Sequence, residues 1–132
     1  MIGIDTNVLV RFLVGDDINQ ADKVYSLFKK AEAEKGVFFV SLLVVLELIW
    51  VLESAYEFDR VDILDSISQL TLMPILKFEK LASIQHFILE AQASTFDLSD
   101  LLIAHSASTS GCDVTLTFDK KTSKYQYFEL DR

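Results

Sequence analysis

The chain has 132 residues, 51% of them hydrophobic, which fits one domain with a buried core and excludes a disordered chain. A net charge of −8 argues against a broad basic surface for nucleic acid. The single cysteine excludes an internal disulfide and suits a cytoplasmic location, and one Cys with two His shows no zinc-ligand spacing. No uninterrupted apolar run is long enough to span a membrane, and MIGIDTN has no basic leader of a signal peptide.

Taken in chain order, MIGI reads as a short buried strand, and DTNVLVRFL leaves it for a helical turn. The next segment places Ile18, Ala21, Val24, Leu27, Phe28 and Ala31 on a helical stripe that stops at Gly36. VFFVS is a continuous apolar run, as in a strand covered on both faces, and Ser41 can cap the helix that follows. That helix carries Glu47 between Leu43, Val44, Trp50 and Val51, its neighbours one turn either way, so the pattern predicts an inward-facing carboxylate. A further helix begins at Asp59, and Pro74 opens a third strand in PILKF. Two more helices follow, the second ended by Gly111, then a strand in DVTLTF and a fifth, at the sheet edge, in YQYFELD. Alternating strands and helices predict a single α/β domain over 1–132 with a mainly parallel sheet of about five strands.

In parallel sheets, sites form beyond the carboxyl ends of the strands. Asp5 follows the first strand, Asp119 follows the fourth, and Glu47 lies in the second turn after the second. Asp100 opens the helix before the fourth strand, with Asp97, Ala104 and Ala107 along its face. Carboxylates brought together repel, and a hard divalent cation offsets that repulsion. Oxygen donors without His or Cys favour Mg²⁺ or Mn²⁺ and suit metal-assisted phosphodiester hydrolysis. Glu47 apart, each acid has a plainer reading: Asp5 and Asp97 fit helix caps, Asp119 a turn, and Asp100 a first-turn acid facing the helix dipole, whereas on its all-apolar face Glu47 has only that of a rare buried carboxylate.

The blocks IDTNVLVRFL, LLVVLELIWVL, FDLSDLLIA and TLTFDKK together resemble PIN domains, with the nearest likeness to the VapC-type toxins of bacterial toxin–antitoxin pairs. The likeness runs from residue 2 to about 130 and implies a PIN-like three-layer sandwich and an Mg²⁺- or Mn²⁺-dependent endoribonuclease. It maps the family's catalytic and metal-holding acids onto Asp5, Glu47, Asp100 and Asp119, with Asp97, Thr6, Asn7 and Thr117 in support. His105 departs from the small or apolar residue common in relatives; it lies about 140° around the helix from Asp100 and reads as a surface or interface residue. His86 has the same reading, Cys112 reads as an inert small residue, and Trp50 and Phe38 read as core.

Arg11, Lys120, Lys121 and Lys124 are candidates to hold RNA phosphates, or else solvated cations. The resemblance also implies a VapB-like antitoxin and a homodimer, with the helices around 18–31 and 42–57 as candidates for the antitoxin groove. Two other functions compete. One is a non-catalytic RNA- or partner-binding PIN domain. The other is an aspartate-dependent phosphatase, which wants a second acid where Asn7 stands and leaves Glu47 without a role.

Overall fold

The computed structural model describes residues 1–131. In chain order the elements are β1 (Ile2–Gly3), α1 (Thr6–Val14), α2 (Ile18–Glu34), β2 (Phe38–Val40), α3 (Leu42–Ser54), α4 (Arg60–Thr71) and β3 (Leu76–Phe78). They continue with α5 (Leu81–Gln92), α6 (Leu98–Thr109), β4 (Thr115–Thr117), a 3₁₀ turn (Thr122–Lys124) and β5 (Phe128–Leu130). This is the α/β class that the alternating pattern predicts. The strands do not form one sheet, however: β1-β2-β3 make a three-stranded sheet and β4-β5 a two-stranded one, both parallel. The chain forms two compact units, Met1–Glu79 and the segment from Lys80 onward.

In the first unit, β2 pairs with both neighbours, Phe38 opposite Ile2 on one side and Leu76 on the other. Helix α1 packs on α2 and α3, and α4 packs on α3 and β3. The core is Leu9, Val10, Val40, Leu48, Ile49, Leu52, Ile63, Ile67 and Leu70, each almost wholly out of water. Helix α2 starts where the Asp17 side chain accepts the Gln20 N–H and stops at Lys35, which takes the left-handed conformation at φ 56°. Its buried stripe is narrower than the sequence suggests: Ala21, Val24, Phe28 and Ala31 are inside, while Ile18 and Leu27 are exposed.

Helix α3 is held at its start by two side chains. Ser41 Oγ accepts the Val44 N–H at 3.2 Å, and Glu79 Oε1, from the end of β3, accepts the Leu42 N–H at 2.7 Å. Two amides that have no partner within the helix are thereby satisfied. Asp59 occupies the equivalent position before α4 but makes no side-chain capping bond.

The face that α3 buries is Val45, Leu48, Ile49 and Leu52. Glu47 is exposed, as are Leu43 at 76% and Trp50 at 63%, so the carboxylate expected to face inward faces outward. Trp50 is not a core residue, whereas Phe38 is. The reason is that α3 is apolar nearly all round: two apolar stripes compete, and the sequence does not say which one the core takes.

In the second unit α5 packs against α6, burying Ile84, Phe87, Ile88, Leu101 and Leu102. Helix α6 ends before Gly111, whose φ of 99° suits the residue without a Cβ. Strand β4 then runs parallel to β5 with Thr115 opposite Phe128 and Thr117 opposite Leu130. No helix among the described residues is long and apolar enough to cross a membrane.

The orientation of α3 makes a direct prediction. Ile49→Ala should cost about 2–5 kcal/mol in urea unfolding, and Trp50→Ala less than about 0.5 kcal/mol. A larger loss for Trp50→Ala than for Ile49→Ala would show that the helix is turned the other way.

Candidate functional site

In the first unit, Asp5 stands two residues past β1 and serves as the N-cap of α1, its Oδ1 accepting the Val8 N–H at 3.4 Å. Because β1 and β2 are parallel, Asp5 and the start of α3 leave the sheet at the same edge. Thr6 is buried in the first turn of α1 and Asn7 beside it is exposed. Glu47, one turn and a half into α3, is an exposed carboxylate flanked by exposed apolar side chains rather than a buried one.

Arg11, read from the sequence as a phosphate contact, is committed within the chain. Its Nε donates to Gln20 Oε1 at 2.6 Å, and Nη1 donates to Asp16 Oδ1 at 3.0 Å and to the Tyr56 hydroxyl at 3.2 Å. Tyr56 in turn donates to Asp16 Oδ2 at 2.8 Å. That hydroxyl, first, and the Arg11 charge hold the Asp16 carboxyl below its usual range.

The second unit draws three acids into electrostatic reach of one another. Asp97 caps α6, its Oδ1 accepting the Asp100 N–H at 3.0 Å. Asp119, two residues past β4, accepts the N–H groups of Lys121 at 2.8 Å and Thr122 at 3.3 Å through Oδ1. Its own N–H donates to Thr117 Oγ1 at 3.1 Å, so Thr117 steadies the loop that carries Asp119. Asp100 is half-buried, and its Oδ2 accepts the Thr122 hydroxyl at 3.3 Å.

The two key carboxyls of this unit titrate in opposite directions. Burial, then the charge of Asp97 and that of Asp119, push the Asp100 carboxyl up despite the Thr122 bond. Backbone amides of Thr122 and Lys121 hold Asp119 below the ordinary range. Lys120, Lys121 and Lys124 are exposed around the same turn.

Thr122, which touches both Asp100 and Asp119, carries no signal in the sequence. It lies in a run, KKTSK, that reads as a plain polar loop. Only the fold buries it, to 7% exposure.

His105 is the other correction. It is 2% exposed, not on the surface, and its Nε2 shares a hydrogen bond of 3.0 Å with the Tyr125 hydroxyl. The rings of His86 and Tyr127 pack near it, with centroids at 6.3 and 5.0 Å. Tyr125 is buried as well, and that burial, with the charge of Glu90, raises the phenol above its usual range. His86 is exposed, as is the free thiol of Cys112.

The candidate acids offer only carboxylate oxygens, the hard donors that Mg²⁺ and Mn²⁺ take. The bonds of Asp97, Asp100 and Asp119 described above engage one oxygen of each. Among the described residues no group of three or more His, Cys, Asp or Glu side chains is drawn close enough to hold a metal ion. The donor chemistry therefore fits such an ion, while the second unit gathers its acids at electrostatic rather than ligating distance.

Parallel strands with acids beyond their carboxyl ends define the class of protein, and comparison with known families names it. The family model described as the PIN domain matches residues 2–126, and the chain belongs to that family. PIN domains are generally metal-dependent nucleases, so a nuclease-type function follows, with a divalent metal as the general cofactor of the family. No curated protein matches the chain.

Burial lowers the pKa of His105 from its usual 6.5, opposed in part by the charge of Glu90 and aided by His86. Below pH 6.5 the unfolded chain binds a proton here that the folded chain refuses, so stability falls as pH drops. The loss begins near pH 6.5 and levels off beneath the lowered native value. Denaturant unfolding at a series of pH values from 7.5 to 5 should show a shallower decline for His105→Phe than for wild type. Identical slopes would contradict a neutral, buried His105.

Proposed function

We propose that the protein is an endoribonuclease toxin of a type II toxin–antitoxin pair, dependent on Mg²⁺ or Mn²⁺. The observation that carries this reading is the PIN-domain match over residues 2–126, with the four sequence blocks that bear the candidate acids in support. Asp5 and Glu47 of the first unit and Asp100 and Asp119 of the second are proposed as metal-holding acids, with Thr6, Asn7, Asp97 and Thr117 in support. When bound, a divalent ion supplies charge neutralisation at the scissile phosphate and a more acidic water for the attack.

The chain's own groups do the rest. Burial, with the charges of Asp97 and Asp119, raises the Asp100 carboxyl above its usual range and so disfavours its ionised form. A cation relieves that repulsion and favours the ionised form, which couples ion binding to the charge state of the site. Lys120, Lys121 and Lys124, exposed beside Asp119, suit the phosphates that flank the cleaved bond. Arg11 is a weaker candidate, since Asp16, Gln20 and Tyr56 already take its donors.

The partner proposed is a VapB-like antitoxin. An open apolar cavity of about 390 Å³ in the first unit, lined by Phe12, Tyr25, Phe28, Met73 and Ile75, suits an apolar helix face. It involves α2, one of the two helices expected from the sequence, and none of its lining residues lies on α3. The exposed Leu43 and Trp50 on α3 suit the proposed homodimer. Cytoplasmic residence is part of the same proposal.

A second reading, a non-catalytic RNA- or partner-binding PIN domain, draws support from the spacing of the acids, of which no three among the described residues lie close enough to hold an ion. One experiment separates the two. Purified protein freed of any antitoxin should cleave tRNA with Mg²⁺ or Mn²⁺, and Asp100→Asn or Asp119→Asn should lower the rate about 100-fold or more. Intact RNA after incubation with wild type and either metal would favour the non-catalytic reading. Glu47→Gln should lower the rate too, while its metal-free stability stays within about 0.5 kcal/mol, as for an exposed side chain. A clear loss of metal-free stability in thermal melting would instead make Glu47 a structural residue.

A further inference from the structure

We propose that Thr122 is a positioning residue of this site, fixing the Asp100 carboxylate of α6 relative to the Asp119 carboxylate at the end of β4. The inference rests on the nuclease reading above and names a residue that reading does not include.

The geometry is that of a bridge. The Thr122 hydroxyl donates to Asp100 Oδ2 at 3.3 Å, and its backbone N–H donates to Asp119 Oδ1 at 3.3 Å. Asp119 is fastened to the same turn twice more, by the Lys121 N–H on its side chain at 2.8 Å and by the Ser123 N–H on its carbonyl at 3.0 Å. A buried hydroxyl without a partner is costly, and here the partner of this 7%-exposed side chain is a carboxylate.

The turn that carries Thr122 is itself anchored. The Tyr125 N–H donates to the Thr122 carbonyl at 3.0 Å, and the buried Tyr125 hydroxyl bonds His105 Nε2 at 3.0 Å. His105 lies five residues beyond Asp100 on α6. Helix α6 therefore grips the turn at two points, the acid and the imidazole, and a tilt of the turn about one contact is resisted by the other.

Two like charges left to themselves move apart or take up a proton. A donor to one oxygen of each carboxylate, both from one residue, sets their separation and reduces their repulsion. It also leaves the remaining oxygen of each for a ligand. A residue that merely filled space in the turn would need the shape of threonine but not its hydroxyl.

The test separates those two roles. Thr122→Val keeps the shape and the backbone amide and removes the donor; Thr122→Ser keeps the donor. With tRNA as substrate, Thr122→Val should lower kcat about tenfold with KM changed less than about twofold. Mn²⁺ affinity measured by calorimetry on the RNA-free protein should fall about threefold or more. The melting temperature should stay within about 2 °C of wild type, and Thr122→Ser should restore both kcat and affinity.

Wild-type kcat and Mn²⁺ affinity in Thr122→Val would overturn the inference and leave the nuclease reading standing. Losses that follow a fall in melting temperature and are not restored in Thr122→Ser would also overturn it, in favour of a space-filling role. A wild-type protein that neither binds Mn²⁺ nor cleaves RNA would overturn the nuclease reading, and this inference with it.

Discussion

Backbone amides hold three of the acids, Asp5, Asp97 and Asp119. Asp5 takes the Val8 N–H, Asp97 takes the Asp100 N–H, and Asp119 takes those of Lys121 and Thr122. Each bond does two jobs. It satisfies a donor that the start of a helix or turn leaves without a partner, and it fixes a carboxylate just beyond a strand or at a helix start. Capping and a catalytic role are therefore not rivals at these positions: a cap occupies one oxygen and orients the other. Asp100 is the member held by a side chain instead, and it is also the one whose carboxyl is pushed up by burial and by its acidic neighbours.

This constraint explains why the places of Asp5, Asp97 and Asp119 at the ends of elements are legible in the sequence. Asp5 and Asp119 stand out because an apolar run ends and an acid follows within two residues, a pattern that the strand boundaries at Gly3 and Thr117 reproduce. Ser41 was legible as a cap for the same local reason, and the Val44 amide uses it. The outward orientation of Glu47 is not legible, because α3 carries apolar residues on nearly every side. Periodicity counts them, but the choice between the Leu43–Trp50 stripe and the Val45–Leu52 stripe is made by packing against α1 and α4.

Long-range partners were beyond sequence reasoning altogether. Nothing near His105 announces that Tyr125, twenty residues on, will meet its imidazole. Nothing in KKTSK announces that one threonine will be drawn under two acids. The same limit applies to the sheets: five strand-like segments were legible, but their division into a set of three and a pair depends on which edges meet. The likeness to PIN domains, by contrast, needed no contacts, only the order and spacing of four blocks, and the family match over residues 2–126 bears it out.

The proposed nuclease function requires a divalent ion held by carboxylates, Asp100 and Asp119 of the second unit among them. Amide line broadening in NMR spectra on adding substoichiometric Mn²⁺ tests it most directly, because paramagnetic relaxation reports proximity to the ion without RNA, turnover or an antitoxin. The proposal predicts selective broadening around Asp100 and Asp119, lost in Asp100→Asn. Uniform weak broadening over the surface, or selective broadening that persists unchanged in Asp100→Asn, would contradict it.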